Sequence, residues 1–88
     1  MRESKIETHL RIRSHRLGGE CIKMGQEGWP DRLVILPGGE VTFVETKATD
    51  GRAKPHQLRR HARLKELMQE VLVLSSIEAI NRAFPIKP

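Results

Sequence analysis

The feature that most constrains the fold is a predicted β-hairpin in the middle of the chain. Residues 31–36 and 40–47 are rich in apolar and β-branched side chains, as expected of strands. The segment Pro37-Gly38-Gly39 between them predicts a tight turn. A connection this short makes the two strands antiparallel neighbours.

The hairpin also predicts which side chains meet. Pairing Leu36 with Glu40 around the turn places Asp31 opposite Glu45. Lys47 follows two residues after Glu45, so both side chains point to the same face of the strand. Two carboxylates and one ammonium group are therefore predicted to cluster at one edge of the sheet.

The elements around the hairpin complete an α/β fold. Ser4 and Glu7 have the spacing of a capping box, Gly18-Gly19 ends the first helix, Pro55 begins the second and Ser75-Ser76 caps the third. The predicted elements are a helix over 4–17, a strand over 20–24, the two hairpin strands, a helix over 55–70, a strand over 71–74 and a helix over 77–83, before a short tail with Pro85 and Pro88.

The second helix is long enough for a parallel crossover. The prediction is thus a single domain, 1–88, with a mixed β-sheet and the order αβββαβ(α). Helical spacing predicts one face for each of the two long helices. The face of the first helix carries Ile6, Leu10, Arg13 and Leu17, and the apolar face of the second carries Leu58, Ala62, Leu64, Leu67 and Met68.

A chain of 88 residues forms only a small core, and apolar residues make up 38% of it. Cys21 is the single cysteine, which excludes an internal disulfide. No Cys/His spacing matches a zinc site. Self-association, most simply as a two-fold dimer, is the remaining way to stabilise such a chain.

The net charge of +5 indicates a polyanionic partner, most simply nucleic acid. A generic basic surface that keeps the protein soluble is the alternative. The longest apolar runs, 33–36 and 71–74, are too short to cross a membrane, and nothing resembles a signal peptide. We therefore expect a soluble, cytoplasmic protein.

The cluster of Asp31, Glu45 and Lys47 suits phosphodiester hydrolysis. Mg²⁺ prefers oxygen ligands and takes one or two carboxylates while keeping several waters. Such a cation activates a bound water, and a nearby lysine stabilises negative charge on the phosphate. Each residue taken singly is as easily explained as a polar side chain at a strand end. Their combination at this spacing favours the catalytic interpretation.

With its flanking residues, this pattern resembles a known family. Asp31 followed by Glu45-Thr46-Lys47 resembles the PD-(D/E)xK nuclease signature. The segments 28–33, 37–39, 41–47 and 57–61 resemble the virus-type replication-repair nuclease domain, VRR-NUC, in its stand-alone viral or prophage type. The match extends from about Glu7 to Ile80, with the order of elements intact.

The resemblance implies a restriction-endonuclease-like core and Mg²⁺- or Mn²⁺-dependent cleavage of DNA. By position, Asp31 and Glu45 would bind the metal together with the backbone carbonyl of Thr46. Lys47 would be the catalytic lysine.

Two further residues join the site by the same resemblance. Glu7 matches the acidic residue of the family's first helix and would complete the metal site, whereas the capping box gives it a purely local role. Gln57 matches a glutamine near the active site, and its alternative is an ordinary solvated residue in the first turn of a helix.

Stand-alone members of the family resemble Holliday-junction resolvases and act as homodimers. The resemblance therefore implies a structure-selective endonuclease acting on four-way or other branched DNA, phage- or prophage-encoded and active in the bacterial host. The alternatives are a nuclease acting on flaps, nicks or ends without junction preference, and a non-catalytic basic DNA-binding module.

Basic residues around the predicted site are candidates for phosphate contacts. They are Arg11, Arg13, Arg16, Lys23, Lys54, Arg59, Arg60 and Arg63, and the alternative for each is an ordinary solvated side chain. His56 and His61 are interpreted as DNA-facing or structural. Trp29 either wedges against DNA or packs at a dimer contact, and Cys21 is interpreted as a bystander.

Overall fold

The structure, a computed structural model, describes residues 1–86, so the predicted tail residue Pro88 lies outside the described part. The elements follow the predicted order. They are α1 (Glu3–Arg16), β1 (Glu20–Lys23), β2 (Arg32–Leu36), β3 (Glu40–Thr46), α2 (Pro55–Glu66), β4 (Glu70–Leu74) and α3 (Ile77–Ala83).

The four strands form one mixed sheet in the order β1-β2-β3-β4. β1, β2 and β3 are antiparallel neighbours, while β3 and β4 are parallel and connected through α2. Leu36 pairs with Glu40, which confirms the predicted hairpin register. Gly38 and Gly39 have φ angles of 90° and 81°, a region that glycine enters without a steric penalty, and this allows the tight turn.

The main core lies between one sheet face and the helices α1 and α3. Ile6 and Leu10 of α1 pack with Val34 and Val44 of the sheet and with Ile80 of α3. Cys21 packs against the same cluster, in agreement with its predicted role as a bystander. Burial raises the pKa of the Cys21 thiol, which makes it a weaker nucleophile.

Helix α2 lies on the opposite side of the sheet, against β4, and differs from its predicted form in two respects. It ends at Glu66 rather than near Glu70 because Met68 adopts a left-handed φ of 64°. The N–H groups of Met68 and Gln69 then donate to the carbonyls of Lys65 and Leu64 and close a Schellman motif.

The predicted apolar face of α2 was also wrong. Leu64 is buried, but Leu58 and Leu67 are half exposed and Met68 is 90% exposed. His61 lies on the buried face instead. In α1, Arg13 is only partly buried, and its Nε donates to the carbonyl of Phe84.

The capping predictions had opposite outcomes. Ser76 caps α3 by accepting a hydrogen bond from the N–H of Ala79, as predicted. The capping box on α1 was wrong, because the helix begins one residue earlier and its N-cap is Arg2, which makes no side-chain cap. The Glu7 carboxylate is thereby free for other contacts. Within residues 1–86, no helix has the length and apolar character needed to span a membrane.

Candidate active site

The predicted site residues meet where β3 ends and β2 begins, and their side-chain contacts divide them into two neighbouring groups, one formed with α1 and one with α2. Successive residues of a strand point to opposite faces. Glu45 therefore points towards α2, and Thr46 towards α1. We call one group the α1-side cluster (Glu7, Asp31, Arg32, Thr46) and the other the α2-side cluster (Glu45, Lys47, Gln57, His61).

Thr46 holds Asp31 in the α1-side cluster. Its backbone N–H donates to Asp31 Oδ1 at 3.0 Å, and its hydroxyl donates to Oδ2 at 2.7 Å. Thr46 is fully buried, so both donors are shielded from water. Each carboxylate oxygen keeps a further lone pair after accepting one hydrogen bond. Asp31 is thus fixed in orientation and still able to bind a cation.

Glu7 reaches the same cluster from α1. Its Oε2 lies 3.1 Å from Nη2 of Arg32, and its Oε1 lies 3.3 Å from Oγ1 of Thr46. The Thr46 hydroxyl has a single hydrogen, which the shorter contact to Asp31 takes. Glu7 therefore depends mainly on Arg32. These contacts place Glu7 at the site and not at the helix start.

Burial is the main influence on the ionisation of Asp31. It raises the pKa of the carboxyl group, the hydrogen bonds from Thr46 oppose it, and the negative charge of Glu7 adds to it. The net result is a carboxylate that is harder to ionise than an ordinary aspartate. A neighbouring cation would relieve that cost.

The α2-side cluster centres on Glu45, which is only 3% exposed. Its Oε2 lies 3.5 Å from Nζ of Lys47 and accepts a hydrogen bond of 3.4 Å from Nε2 of Gln57. The amide of Gln57 is oriented by its own oxygen, which accepts from the backbone N–H of Lys54 at 2.8 Å. The start of α2 therefore directs an N–H donor at Glu45.

The other carboxylate oxygen of Glu45 faces His61. Oε1 of Glu45 and Nε2 of His61 are 3.7 Å apart. Within residues 1–86, both atoms are buried without a hydrogen-bond partner. His61 is only 4% exposed, so of its two predicted interpretations, DNA-facing or structural, the burial excludes the first and leaves the second.

Glu45 has the largest resolved shift among these carboxylates. The pKa of Glu45 is raised to about 7: burial is the main cause, the charge of Asp31 adds to it, and Lys47 opposes both. Burial also lowers the pKa of His61, with Lys65 and Lys47 adding to the effect. Lys47 alone does not offset the carboxylates around it.

The donor set fits a divalent cation with few protein ligands. Within the part of the chain that the structure describes, no group of three or more His, Cys, Asp or Glu side chains is arranged to hold a metal ion. Mg²⁺ commonly takes only one or two carboxylates and keeps its waters. Two buried carboxylates with raised pKa values, one of them with an unpartnered oxygen, match that requirement.

A basic cleft of about 570 Å³ is lined by residues of the same helix, α2. It lies between the loop before β2 and the outer side of α2. We call it the arginine cleft, and its lining residues are Gln26, Glu27, Gly28, His56, Arg59, Arg60 and Arg63. Three of the predicted phosphate-contacting residues therefore share one surface.

The other basic candidates lie apart from this cleft. Lys23 pairs across the sheet with Arg32, beside the α1-side cluster. Arg11 follows Glu7 by one helical turn, so it lies on the same side of α1. Lys54 is exposed and precedes α2 as its N-cap. The structure thus distributes basic side chains around both clusters.

Trp29 packs within the protein. Its ring lies 6.3 Å from that of Phe43, and the Arg60 guanidinium lies over it at 4.6 Å from the ring centre. This cation–π contact ties the loop before Asp31 to α2. Trp29 therefore lies next to the arginine cleft, in contact with its lining residue Arg60.

The mixed sheet with helices on both faces defines the class as a restriction-endonuclease-like α/β fold. The structure is similar to a solved VRR_NUC domain, with a TM-score of 0.84 and 36% sequence identity over 91% of this chain and 90% of that one. The sequence is 47% identical over 79 residues to "Putative nuclease p44" of the Acyrthosiphon pisum secondary endosymbiont phage 1, covering 86% of this chain and 85% of the relative. None of the family models searched matches the chain. The chain belongs to the VRR-NUC family of the PD-(D/E)xK nucleases.

Two residues of the site were missed by the sequence analysis. His61 follows Gln57 by four positions, and this spacing predicts that both lie on one helix face. That signal was available, but the apolar pattern of α2 indicated a different face. For Arg32 no comparable signal exists, because its role depends on the approach of α1 to β2.

Proposed function

We propose that the chain is a Mg²⁺- or Mn²⁺-dependent endodeoxyribonuclease that hydrolyses phosphodiester bonds in branched DNA. The observation that carries the proposal is the buried ion pair of Glu45 and Lys47 beside Asp31. Buried carboxylates with raised pKa values and a charge partner are typical of functional sites. The family of the chain and its net charge of +5 agree with a nucleic-acid substrate.

In the proposed site, Asp31 and Glu45 would hold the metal, together with the backbone carbonyl of Thr46 and the carboxylate of Glu7. When bound, the cation supplies an activated water and neutralises charge on the phosphate. Arg32 keeps Glu7 at the site, and the side chain of Thr46 orients Asp31.

Lys47 is the proposed catalytic cation. Its Nζ is largely shielded from water and lies beside Glu45, so its charge acts in a medium less polar than water. There it stabilises the negative charge that develops on the phosphate during cleavage. Gln57 supports Lys47 indirectly, because it holds the same oxygen of Glu45 in place.

The DNA backbone is proposed to follow the basic surface around the site. Phosphates contact the arginine cleft through Arg59, Arg60 and Arg63, and Lys54 lies at the start of the same helix. Lys23 and Arg11 extend the basic surface on the α1 side. Binding of this kind is strongly salt-dependent, because each phosphate contact releases counterions.

The active form is proposed to be a homodimer, which would present two sites to a four-way junction. An open apolar area on the α2 side of the sheet supports this assignment. Ile22 on β1 and Val41 on β3 are 45% and 39% exposed there. Exposed apolar surface on so small a domain is typical of an interface between chains.

The proposal is tested by incubating the protein with a labelled four-way junction, a flap and a linear duplex, with Mg²⁺, Mn²⁺ or EDTA. We expect cleavage of the junction that depends on the metal, and a loss of about 10²–10³-fold in kcat for Lys47→Ala. Lys5→Ala, on the exposed start of α1, is the matched control.

Equal cleavage of all three substrates would exclude junction selectivity and leave a general nuclease. Cleavage in EDTA, or full activity of Lys47→Ala, would contradict the mechanism. Binding without cleavage under any condition would indicate a non-catalytic DNA-binding module.

The dimer is tested by light scattering of the same preparation. We expect a mass of twice the 10.1 kDa of the chain, and a shift to the monomer for Val41→Lys. A wild-type protein that stays monomeric at micromolar concentration would contradict the symmetric mode of junction cleavage.

A further inference from the structure

His61 is the one strongly buried histidine of the described chain, and neither the predicted metal site nor the core explains its position. It lies on the inner face of α2, one turn after Gln57. Its Nε2 points at a carboxylate and not at an apolar neighbour. Burying an imidazole without hydrogen bonds is unfavourable, so its place at this position calls for a role.

Glu45 presents the complementary feature. Lys47 and Gln57 both contact Oε2, and neither contacts Oε1. The two buried atoms without partners on this side of the sheet, Glu45 Oε1 and His61 Nε2, face each other at 3.7 Å. A shift of less than 1 Å brings them within hydrogen-bond distance and satisfies both.

We propose that His61 is a positioning residue that donates a hydrogen bond from Nε2 to Oε1 of Glu45 and so fixes the plane of the metal-binding carboxylate. Gln57 and His61 then hold the two oxygens of Glu45 from successive turns of one helix. The inference rests on the proposed metal-dependent nuclease. It adds that the residues holding the Glu45 carboxylate in place belong to α2, the helix that also contributes the arginines of the arginine cleft.

The expected size of the effect follows from known metal sites, in which some residues hydrogen-bond to a metal ligand without touching the metal. Residues that hydrogen-bond to a ligating carboxylate typically change metal affinity or activity by 10–100-fold when they are removed. A purely structural histidine would instead affect folding stability and leave the response to metal unchanged. Metal affinity therefore separates the two roles.

The test compares His61→Leu with His61→Gln. Leucine fills a similar volume without a donor, whereas the amide nitrogen of glutamine can occupy the place of Nε2. We expect His61→Leu to weaken Mg²⁺ binding, measured by calorimetry without DNA, by about 10–100-fold. His61→Gln should stay within a few-fold of wild type. His15→Gln, at a half-exposed histidine at the end of α1, controls for the loss of an imidazole.

Kinetics provide a second readout. For His61→Leu, kcat for junction cleavage at fixed Mg²⁺ should fall while KM for DNA stays constant, because His61 does not reach the surface. If His61→Leu does not fold, His61→Asn replaces it. Asparagine is one methylene shorter than glutamine and should bind Mg²⁺ several-fold more weakly.

Equal Mg²⁺ affinity of the donor-free or shortened variant and the glutamine variant would overturn the inference. A wild-type protein that neither binds Mg²⁺ nor cleaves DNA would instead overturn the proposed function on which it rests. The two failures are therefore distinguishable.

Discussion

The α1-side and α2-side clusters contain similar residue types, but they satisfy their polar atoms to different degrees. On the α1 side, both oxygens of Asp31 accept hydrogen bonds from Thr46, and Glu7 pairs with Arg32. Among the described residues of this cluster, the only buried side-chain atom without a partner is Nε of Arg32. On the α2 side, Glu45 and His61 each leave one buried atom without a partner.

The difference indicates a division of labour within the site. The α1-side cluster resembles a rigid frame, since a fixed hydrogen-bond network holds its carboxylates. The α2-side cluster lowers the folding stability, because the charged form of Glu45 is buried with too little positive charge around it. Sites that bind a cation commonly lower the folding stability of the ligand-free protein in this way, and binding of the ligand restores that stability.

The largest expected effect comes from Glu45→Gln, which removes the charge and keeps the shape. Activity should fall at least as far as in Lys47→Ala, by about 10²–10³-fold or more, because the variant loses a proposed metal ligand. Stability without metal should rise, because a neutral amide is easier to bury than a carboxylate. Cleavage assays and thermal unfolding in EDTA measure the two effects. A Glu45→Gln variant that is active and less stable than the wild type would contradict the proposed difference between the α1-side and α2-side clusters.

The same residue predicts how stability depends on pH. The pKa of Glu45 is 4.5 in the unfolded chain and about 7 in the folded protein, so the folded state binds the proton more tightly. Its contribution to folding stability is fully present below about pH 4.5 and is lost as the pH rises through about 7. In EDTA, Tm should therefore decrease between these values, and Glu45→Gln should flatten that decrease. Asp31, whose pKa is also raised, contributes with the same sign.

A smaller effect is expected for Thr46→Val, which tests the frame on the α1 side. The variant keeps the β-branched shape and the backbone N–H but removes the hydroxyl donor to Asp31. Leaving this part-buried oxygen short of a donor costs about 1–3 kcal/mol, or roughly 4–8 °C in Tm for each kcal/mol. Thr46→Ser, which keeps the hydroxyl, should retain most of the stability. An unchanged Tm in Thr46→Val would show that the network does not support the fold.

The sequence predicts the hairpin and its register because the two strands are joined by a turn of three residues. Local chemistry was sufficient there, and the approach of Asp31 to Glu45-Thr46-Lys47 follows from it. The two-sided arrangement was harder to foresee. It depends on which helix covers which sheet face, and that is a property of tertiary packing.

The C-terminal ends of α1 and α2 also show where prediction from the sequence stops. Both close with a Schellman motif, and both have a residue with a positive φ after the C-cap. In α1 that residue is Gly18, which sequence reasoning recognises. In α2 it is Met68, a residue with no such signature, and the helix was therefore predicted to be too long.

The predicted buried face of α2 was wrong because polar residues of the candidate site occupy the inner face of the helix. Hydrophobic periodicity assumes that the inner face of a helix is apolar. Here the inner face carries Gln57 and His61 towards Glu45, and the apolar residues Leu58 and Leu67 remain half exposed. Departures of this kind from the simple pattern are expected at functional sites.

Because Arg60 stacks on Trp29, the intrinsic fluorescence of this tryptophan is sensitive to the position of the guanidinium. Trp29 is the only tryptophan in the chain, so its fluorescence emission reports on a single location. That location lies beside the arginine cleft, directly after its lining residues Gln26, Glu27 and Gly28 and in contact with Arg60. A phosphate that draws the guanidinium away from the indole changes the surroundings of the fluorophore. Occupancy of the cleft can thus be followed in the unlabelled protein, in real time and separately from cleavage.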